Sequence, residues 1–117
     1  MSKSIVLEKS FPFALRIIKL NRYLIEEKKE FVLSKELLTA GTHIGKHIKE
    51  AVNAESRPIF IQEMAIARRK ASETQYWLEL LFHADLLSEK QFDSIENDRE
   101  EIFKLLTSIV KTSKENV

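Results

Sequence analysis

The sequence contains no cysteine, and only two glycines and two prolines among its 117 residues. Without cysteine, the chain has no disulfide bond, no thiolate metal ligand and no cysteine nucleophile. The scarcity of glycine and proline leaves few residues for the tight turns that join short strands. These absences exclude a disulfide-stabilised fold and favour long helices.

Long apolar runs are also absent, so no segment is expected to cross a membrane. The apolar triplet Ile5–Leu7 near the start is far shorter than the apolar core of a signal peptide. A cytoplasmic location is therefore the expectation. With 44% apolar and 32% charged residues, the chain has the composition of one folded domain spanning residues 1–117.

Apolar residues recur at intervals of three and four, which is the spacing of an amphipathic helix. The pattern predicts four helices, at about 10–28, 32–53, 57–84 and 89–113. Ser10 is expected to cap the first helix, with Pro12 in its first turn, and residues 111–117 are expected to fray. Ser56 is the expected cap of the third helix, and Ser88 with Gln91 is expected to form a capping box before the fourth. Four long helices with short connections predict an all-α, antiparallel up-down four-helix bundle.

Both glycines, Gly41 and Gly45, lie in the predicted second helix, where each costs about 1 kcal/mol relative to alanine. Their spacing of four places them on one face, and Ala67 and Ala71 form a similar pair in the third helix. We predict that these two pairs face each other where helices two and three cross closely. Two alternatives remain: the missing side chains leave room for a ligand or neighbouring subunit, or Gly41 ends one helix and Thr42 caps another.

Two histidines and two glutamates share another face of the second helix: Glu36, His43, His47 and Glu50. Histidines four residues apart in a helix can chelate a metal ion. This face is expected to lie opposite the core in solvent, and the order H-E-x-x-H is absent. We therefore interpret it as an exposed polar face, and predict no metal, no cofactor and no enzymatic activity.

Basic residues recur along the first three helices and form a candidate phosphate-contacting surface. The candidates are Arg16, Lys19, Arg22, Lys35, Lys46, Lys49, Arg68 and Arg69. No aromatic residues are interleaved with them, so no base-stacking platform is expected. The alternative is that they are solvated faces without a ligand.

The third helix is apolar over more than half its circumference around Tyr76, Trp77 and Leu80. Either this is the most buried helix or it contributes to an oligomer interface, where Tyr and Trp are enriched. We favour self-association, with the start of one chain docking on this region of a neighbour. The predicted interface residues are Ile5, Val6, Leu7, Tyr76, Trp77 and Leu80.

Four segments of the sequence match signatures of one known protein family. The segment SKELLTAGTHIGKHIKEA resembles S-x-x-L-x-x-S-x-x-S-I-x-x-N-I-x-E-A, and FIQEMAIARRKASETQYWLEL resembles F-x-x-x-L-x-I-A-R-x-x-x-x-E. FPFALRIIKL fits the first helix of the same family and LLSEKQFDSI its Y-L-x-E-x-x-F turn. By these segments the chain resembles the 23S rRNA-intervening-sequence (S23-like) family, and the resemblance covers residues 10–112.

The resemblance implies a four-helix bundle assembled as a ring, typically a homopentamer. Related accessory proteins of diversity-generating retroelements are pentamers with basic surfaces that engage nucleic acid and a reverse transcriptase, although most members have no established function. The chain departs from the signature at His43, Lys46 and His47, where Ser, a small residue and Asn are usual. We therefore expect a non-catalytic homo-oligomer that binds RNA or a nucleoprotein partner. The alternative is a structural or protein-interaction ring without a nucleic-acid role.

Overall fold

The computed structural model describes residues 4–115, which form four helices joined by short loops. The helices are α1 (Ile5–Lys28), α2 (Leu33–Val52), α3 (Arg57–His83) and α4 (Glu89–Glu115). Residues 4–115 contain no β-strand. The prediction of an all-α fold with four helices is confirmed, although α4 continues through residues that were expected to fray.

Consecutive helices pack side by side, and α4 returns to contact α1, while the backbones of the diagonal pairs α1–α3 and α2–α4 do not come close. Contacts near the loops give the direction of the helices. Asn21, late in α1, donates to the Ser34 carbonyl early in α2, and Arg57, at the start of α3, donates to the Ser113 carbonyl late in α4. This is the arrangement of an up-down bundle, 47 Å long and about half as wide.

The start of α1 differs from the prediction. Ser4 caps the helix by accepting a hydrogen bond from the Leu7 N–H, whereas Ser10 is buried inside the helix and donates to the Leu7 carbonyl. Pro12 therefore lies beyond the first turn of α1. Because proline has no backbone N–H, the carbonyl of Glu8, four residues earlier, does not receive the usual helical hydrogen bond. Glu8 and Pro12 are both exposed, so water can solvate that carbonyl.

The other predicted caps are present. Ser56 accepts from the Ile59 N–H at the start of α3, and Ser88 and Gln91 form a reciprocal capping box before α4. In the α1–α2 loop, the Glu30 carboxylate accepts from three successive backbone N–H groups, including those of Leu33 and Ser34. Burial raises the pKa of Glu30, but these hydrogen bonds outweigh it and hold the pKa below its usual value.

The two glycines face α1, so the predicted pairing with Ala67 and Ala71 of α3 is wrong. A Cβ added at Gly41 would lie 2.7 Å from a carbon of Ile17, and one at Gly45 would lie 3.2 Å from Ser10 Oγ. The glycines therefore permit close approach between α1 and α2. Helix α2 is continuous through this region, which also rules out a helix end at Gly41. Ala67 and Ala71 are fully buried within the core.

Among residues 4–115, one cationic side chain is buried in the core, and its burial was not predicted from the sequence. Arg99 is 3% exposed, and its guanidinium makes two 2.7 Å hydrogen bonds to the carboxylate of Glu96. It also donates to the Ala71 carbonyl of α3, while Gln75 donates to Glu96. This network links α3 to α4 and leaves no buried polar side-chain atom unpaired among the described residues.

Replacing Gly41 with alanine should destabilise the protein. The added methyl group overlaps Ile17, and Ile17 cannot move aside because its side chain is fully buried. The cost of overpacking, about 1–3 kcal/mol, exceeds the gain in helix propensity of about 1 kcal/mol. Gly45→Ala should be close to neutral, because only the Ser10 hydroxyl must shift. Denaturant unfolding would compare both variants, and an equal effect at the two positions would contradict this packing account.

Glu96→Gln should lower the free energy of unfolding by about 3 kcal/mol, because it leaves the Arg99 charge buried without a counter-ion. The double variant Glu96→Gln/Arg99→Met should recover much of that loss, since it removes the charge as well. Denaturant unfolding of Glu96→Gln, Arg99→Met and the double variant measures the coupling free energy between the two side chains. Additive losses would show that the pair does not act as a unit.

Candidate functional site

Two of the predicted phosphate-contacting arginines are used in contacts between helices. Arg16 of α1 forms an ion pair with Asp98 of α4. Arg68 of α3 donates to the Thr107 hydroxyl at 2.8 Å, and its guanidinium lies 4.7 Å from the centre of the Phe103 ring. Both side chains remain partly exposed, but their geometry is that of bonds that hold α4 against its two neighbours.

Three predicted lysines, Lys35, Lys46 and Lys49, are exposed on α2, and none pairs with a carboxylate of residues 4–115. Arg22 of α1 is exposed beside the α1–α2 loop, since its neighbour Asn21 bonds to the start of α2. The remaining two candidates lie elsewhere. Lys19 lines a cleft between α1 and α4, and Arg69 is exposed on α3. The eight predicted residues therefore form several surfaces, of which the α2 lysines are the most coherent.

A groove between α1 and α2 runs beside these lysines, with a volume of about 520 Å³. The groove residues from α1 are mainly apolar, whereas those from α2 include two lysines that form a basic edge. Gly45 opens the groove because it has no side chain to fill it. The lining residues are Leu7, Ser10, Phe11, Ala14, Leu15, Ile18, Thr42, Gly45, Lys46 and Lys49.

This groove was not predicted from the sequence. Helix α1 has a second apolar stripe, formed by exposed residues in addition to those that face the core: Phe11, Leu15, Ile18 and Ile25. Their spacing of four, three and seven is helical and was visible in the sequence, but it overlaps the core stripe. No aromatic residue is interleaved with the basic ones in the sequence, but the fold places Phe11 of α1 in the same groove as Lys46 and Lys49 of α2. The absence of a base-stacking platform stays a prediction.

The histidine face of α2 was predicted to be exposed to solvent, but its two histidines are partly buried. His47 Nδ1 lies 2.7 Å from Glu63 Oε1 of α3, and His43 lies edge-on to the His47 ring, with 6.1 Å between ring centres. Both histidines are half-buried because α3 packs beyond the apolar stripe of α2. Residues 4–115 contain no group of three or more side chains placed to hold a metal ion. Burial lowers the pKa of His43, and the nearby charges of Lys46, Lys70 and His47 lower it further.

The predicted oligomer interface divides into buried and exposed residues. Val6 is 1% exposed and belongs to the core of its own bundle, so the prediction that it docks on a neighbour is wrong. Leu7 and Trp77 are half-buried and pack against the same core. The other three interface residues, Ile5, Tyr76 and Leu80, are exposed on the diagonally opposed helices α1 and α3. None of the four helices is long and apolar enough to cross a membrane.

Comparisons with known proteins agree with the four-helix architecture. The sequence profile of the 23S rRNA-intervening sequence protein family matches residues 2–108. A crystal structure from Bacteroides thetaiotaomicron, described as a protein with unknown function from the S23 ribosomal protein family, is similar at 50% identity and a TM-score of 0.90. The similarity covers 92% of this chain and 99% of the other. No curated protein matches the chain.

The lowered pKa of His43 predicts a specific loss of stability in acid. A histidine with a lowered pKa in the folded state binds its proton more readily when unfolded, so stability falls as the pH drops below the unfolded value of about 6.5. His43→Gln should therefore lose less stability than the wild type between about pH 7 and about pH 5. Denaturant unfolding across this range measures the difference, and identical pH profiles would contradict the prediction.

Proposed function

The chain belongs to the family of 23S rRNA-intervening sequence proteins, and we propose that it is a non-catalytic, homo-oligomeric helical bundle that binds RNA or a nucleoprotein through its basic α2 face. The resemblance to ring-forming relatives makes a pentamer the expected assembly. Lys35, Lys46 and Lys49 carry the nucleic-acid part of the proposal, because they are exposed on one helix without carboxylate partners among residues 4–115.

The chemistry of these lysines supports contact with phosphates rather than recognition of particular bases. Ammonium groups on flexible stems neutralise phosphate charge without a fixed geometry, and the counter-ions released on binding make the affinity strongly salt-dependent. A single-stranded RNA is the first ligand to test.

Self-assembly is supported by exposed apolar residues. Phe11 is 68% exposed, Leu15 48% and Tyr76 57%, all within regular helices. Single exposed apolar residues are ordinary, but a stripe along one helix usually marks an interaction surface. The same observation favours the alternative function, a protein-interaction ring without a nucleic-acid role, in which the lysines are only solvated.

The triple variant Lys35→Gln/Lys46→Gln/Lys49→Gln should bind single-stranded RNA more weakly than the wild type, with a shallower dependence on salt. Each lost phosphate contact reduces the slope of log affinity against log salt by about 0.7. Binding is measured by fluorescence anisotropy between about 50 mM and about 200 mM salt. Native mass spectrometry in parallel reports the subunit number, with five expected.

The matched control is Lys104→Gln/Lys111→Gln/Lys114→Gln, which removes three exposed lysines from α4 and should leave the salt slope unchanged. Equal losses of RNA affinity in the two variants would show that binding depends only on the net charge of the protein. No binding by the wild type at the lower salt concentration would reject the nucleic-acid role and leave the protein-interaction ring.

A further inference from the structure

Helix α1 is apolar on two sides, and only one of them is used inside the bundle. Val6, Phe13, Ile17 and Leu24 fill the core, whereas the stripe Phe11, Leu15, Ile18 and Ile25 is exposed. Because Phe11, Leu15 and Ile18 line the groove beside α2, this apolar surface is concave rather than flat. A concave apolar strip with a charged edge suits a protruding helix face carrying the opposite charge.

We infer that this groove receives the outer surface of α3 from a second copy of the chain, centred on Tyr76 and Leu80. These side chains are one helical turn apart, and they are exposed on their own bundle at 57% and 37%. Trp77 lies beside this surface: it is half-buried against the core, and its ring lies edge-on to that of Tyr76, with 5.1 Å between the ring centres. The inference rests on the self-assembly in the proposed function and names the two surfaces that meet.

Charge favours this pairing over contact between two grooves. Lys46 and Lys49 border the groove, so two grooves facing each other would bring lysines against lysines. The α3 surface is instead flanked by Glu73 and Glu79, of which Glu79 is exposed and makes no ion pair within residues 4–115. The apolar contact supplies the affinity, while the charges orient the two copies and remain at the rim of the interface.

The positions of the two surfaces permit a closed ring. Helix α3 lies diagonally across the bundle from α1 and beside α2. In an idealised square bundle, the outward directions of the groove and of the α3 surface are roughly 90–135° apart. Head-to-tail contacts close into a ring when this angle is well below 180°, and a ring of five needs about 108°. Surfaces on opposite sides of the bundle would build an open filament instead.

A complementation experiment tests the pairing with two variants. Leu15→Glu places a charge in the groove and leaves the α3 surface intact, whereas Tyr76→Glu does the reverse. Each variant alone should be monomeric, with affinity for self-association lowered by at least about 30-fold. An equimolar mixture should form a dimer containing one chain of each kind, because one groove and one complementary α3 surface remain intact. Native mass spectrometry distinguishes all of these species by mass.

Each other outcome rejects a specific part of the account. If Leu15→Glu is monomeric while Tyr76→Glu forms homodimers, two grooves meet; the reverse pattern means that two α3 surfaces meet. A mixture that stays monomeric, or variants that assemble like the wild type, also overturns the inference. A monomeric wild type instead rejects the self-assembly in the proposed function.

Ile59→Glu is the matched control, because Ile59 is 42% exposed on α3 outside both surfaces, and it should assemble like the wild type. Circular dichroism checks that every variant keeps its helical content. The milder substitutions Phe11→Gln and Tyr76→Gln repeat the mixing experiment if a glutamate variant fails to fold.

Discussion

The close approach of α1 to α2 at Gly41 is the constraint on which the rest of the structure depends. Ile17 occupies the space where a side chain at position 41 would stand, so α1 lies deep against α2 with Ile17 fully buried. One turn further along α2, Gly45 leaves the Ser10 hydroxyl as the only close neighbour and opens the groove at the surface. Dispersion attraction between the two closely packed helices offsets the helix-propensity cost of two glycines. The same pair of residues therefore shapes the core and the outer face of the bundle.

Polar contacts complete the bundle on the side away from this crossing. The buried Arg99–Glu96 pair holds α3 against α4, and Arg16 bridges α1 to α4 on the opposite side of α4. These two arginines form ion pairs within the bundle, whereas the lysines of α2 are exposed together on one helix. The family match covers residues 2–108 and so includes both the structural arginines and the exposed lysines. The separation of the two roles follows from partners on neighbouring helices, which a charge count along the sequence does not show.

Much of the fold was predictable because helical periodicity is a local property of the sequence. The spacing of apolar residues predicted four helices, and Ser56, Ser88 and Gln91 act as caps as expected. What failed depends on contacts between helices. The glycines face α1 rather than α3, and Val6 belongs to the core because Ser4 rather than Ser10 caps α1, which begins at Ile5. The groove escaped notice because α1 carries two overlapping apolar stripes, which periodicity alone cannot separate into a core face and a surface face.

The central claim is that the second apolar face of α1 binds the α3 surface of another copy. Trp77 is the only tryptophan and its ring lies edge-on to that of Tyr76, so its fluorescence reports on that surface without a label. Acrylamide quenching of Trp77 should weaken as protein concentration rises through assembly, and Leu15→Glu should abolish this change. Leu15 is exposed on α1, whose backbone does not come close to that of α3 within one chain, so the substitution is expected to act on Trp77 through a second copy. Quenching that is independent of concentration, or a concentration dependence that Leu15→Glu leaves intact, would contradict the claim.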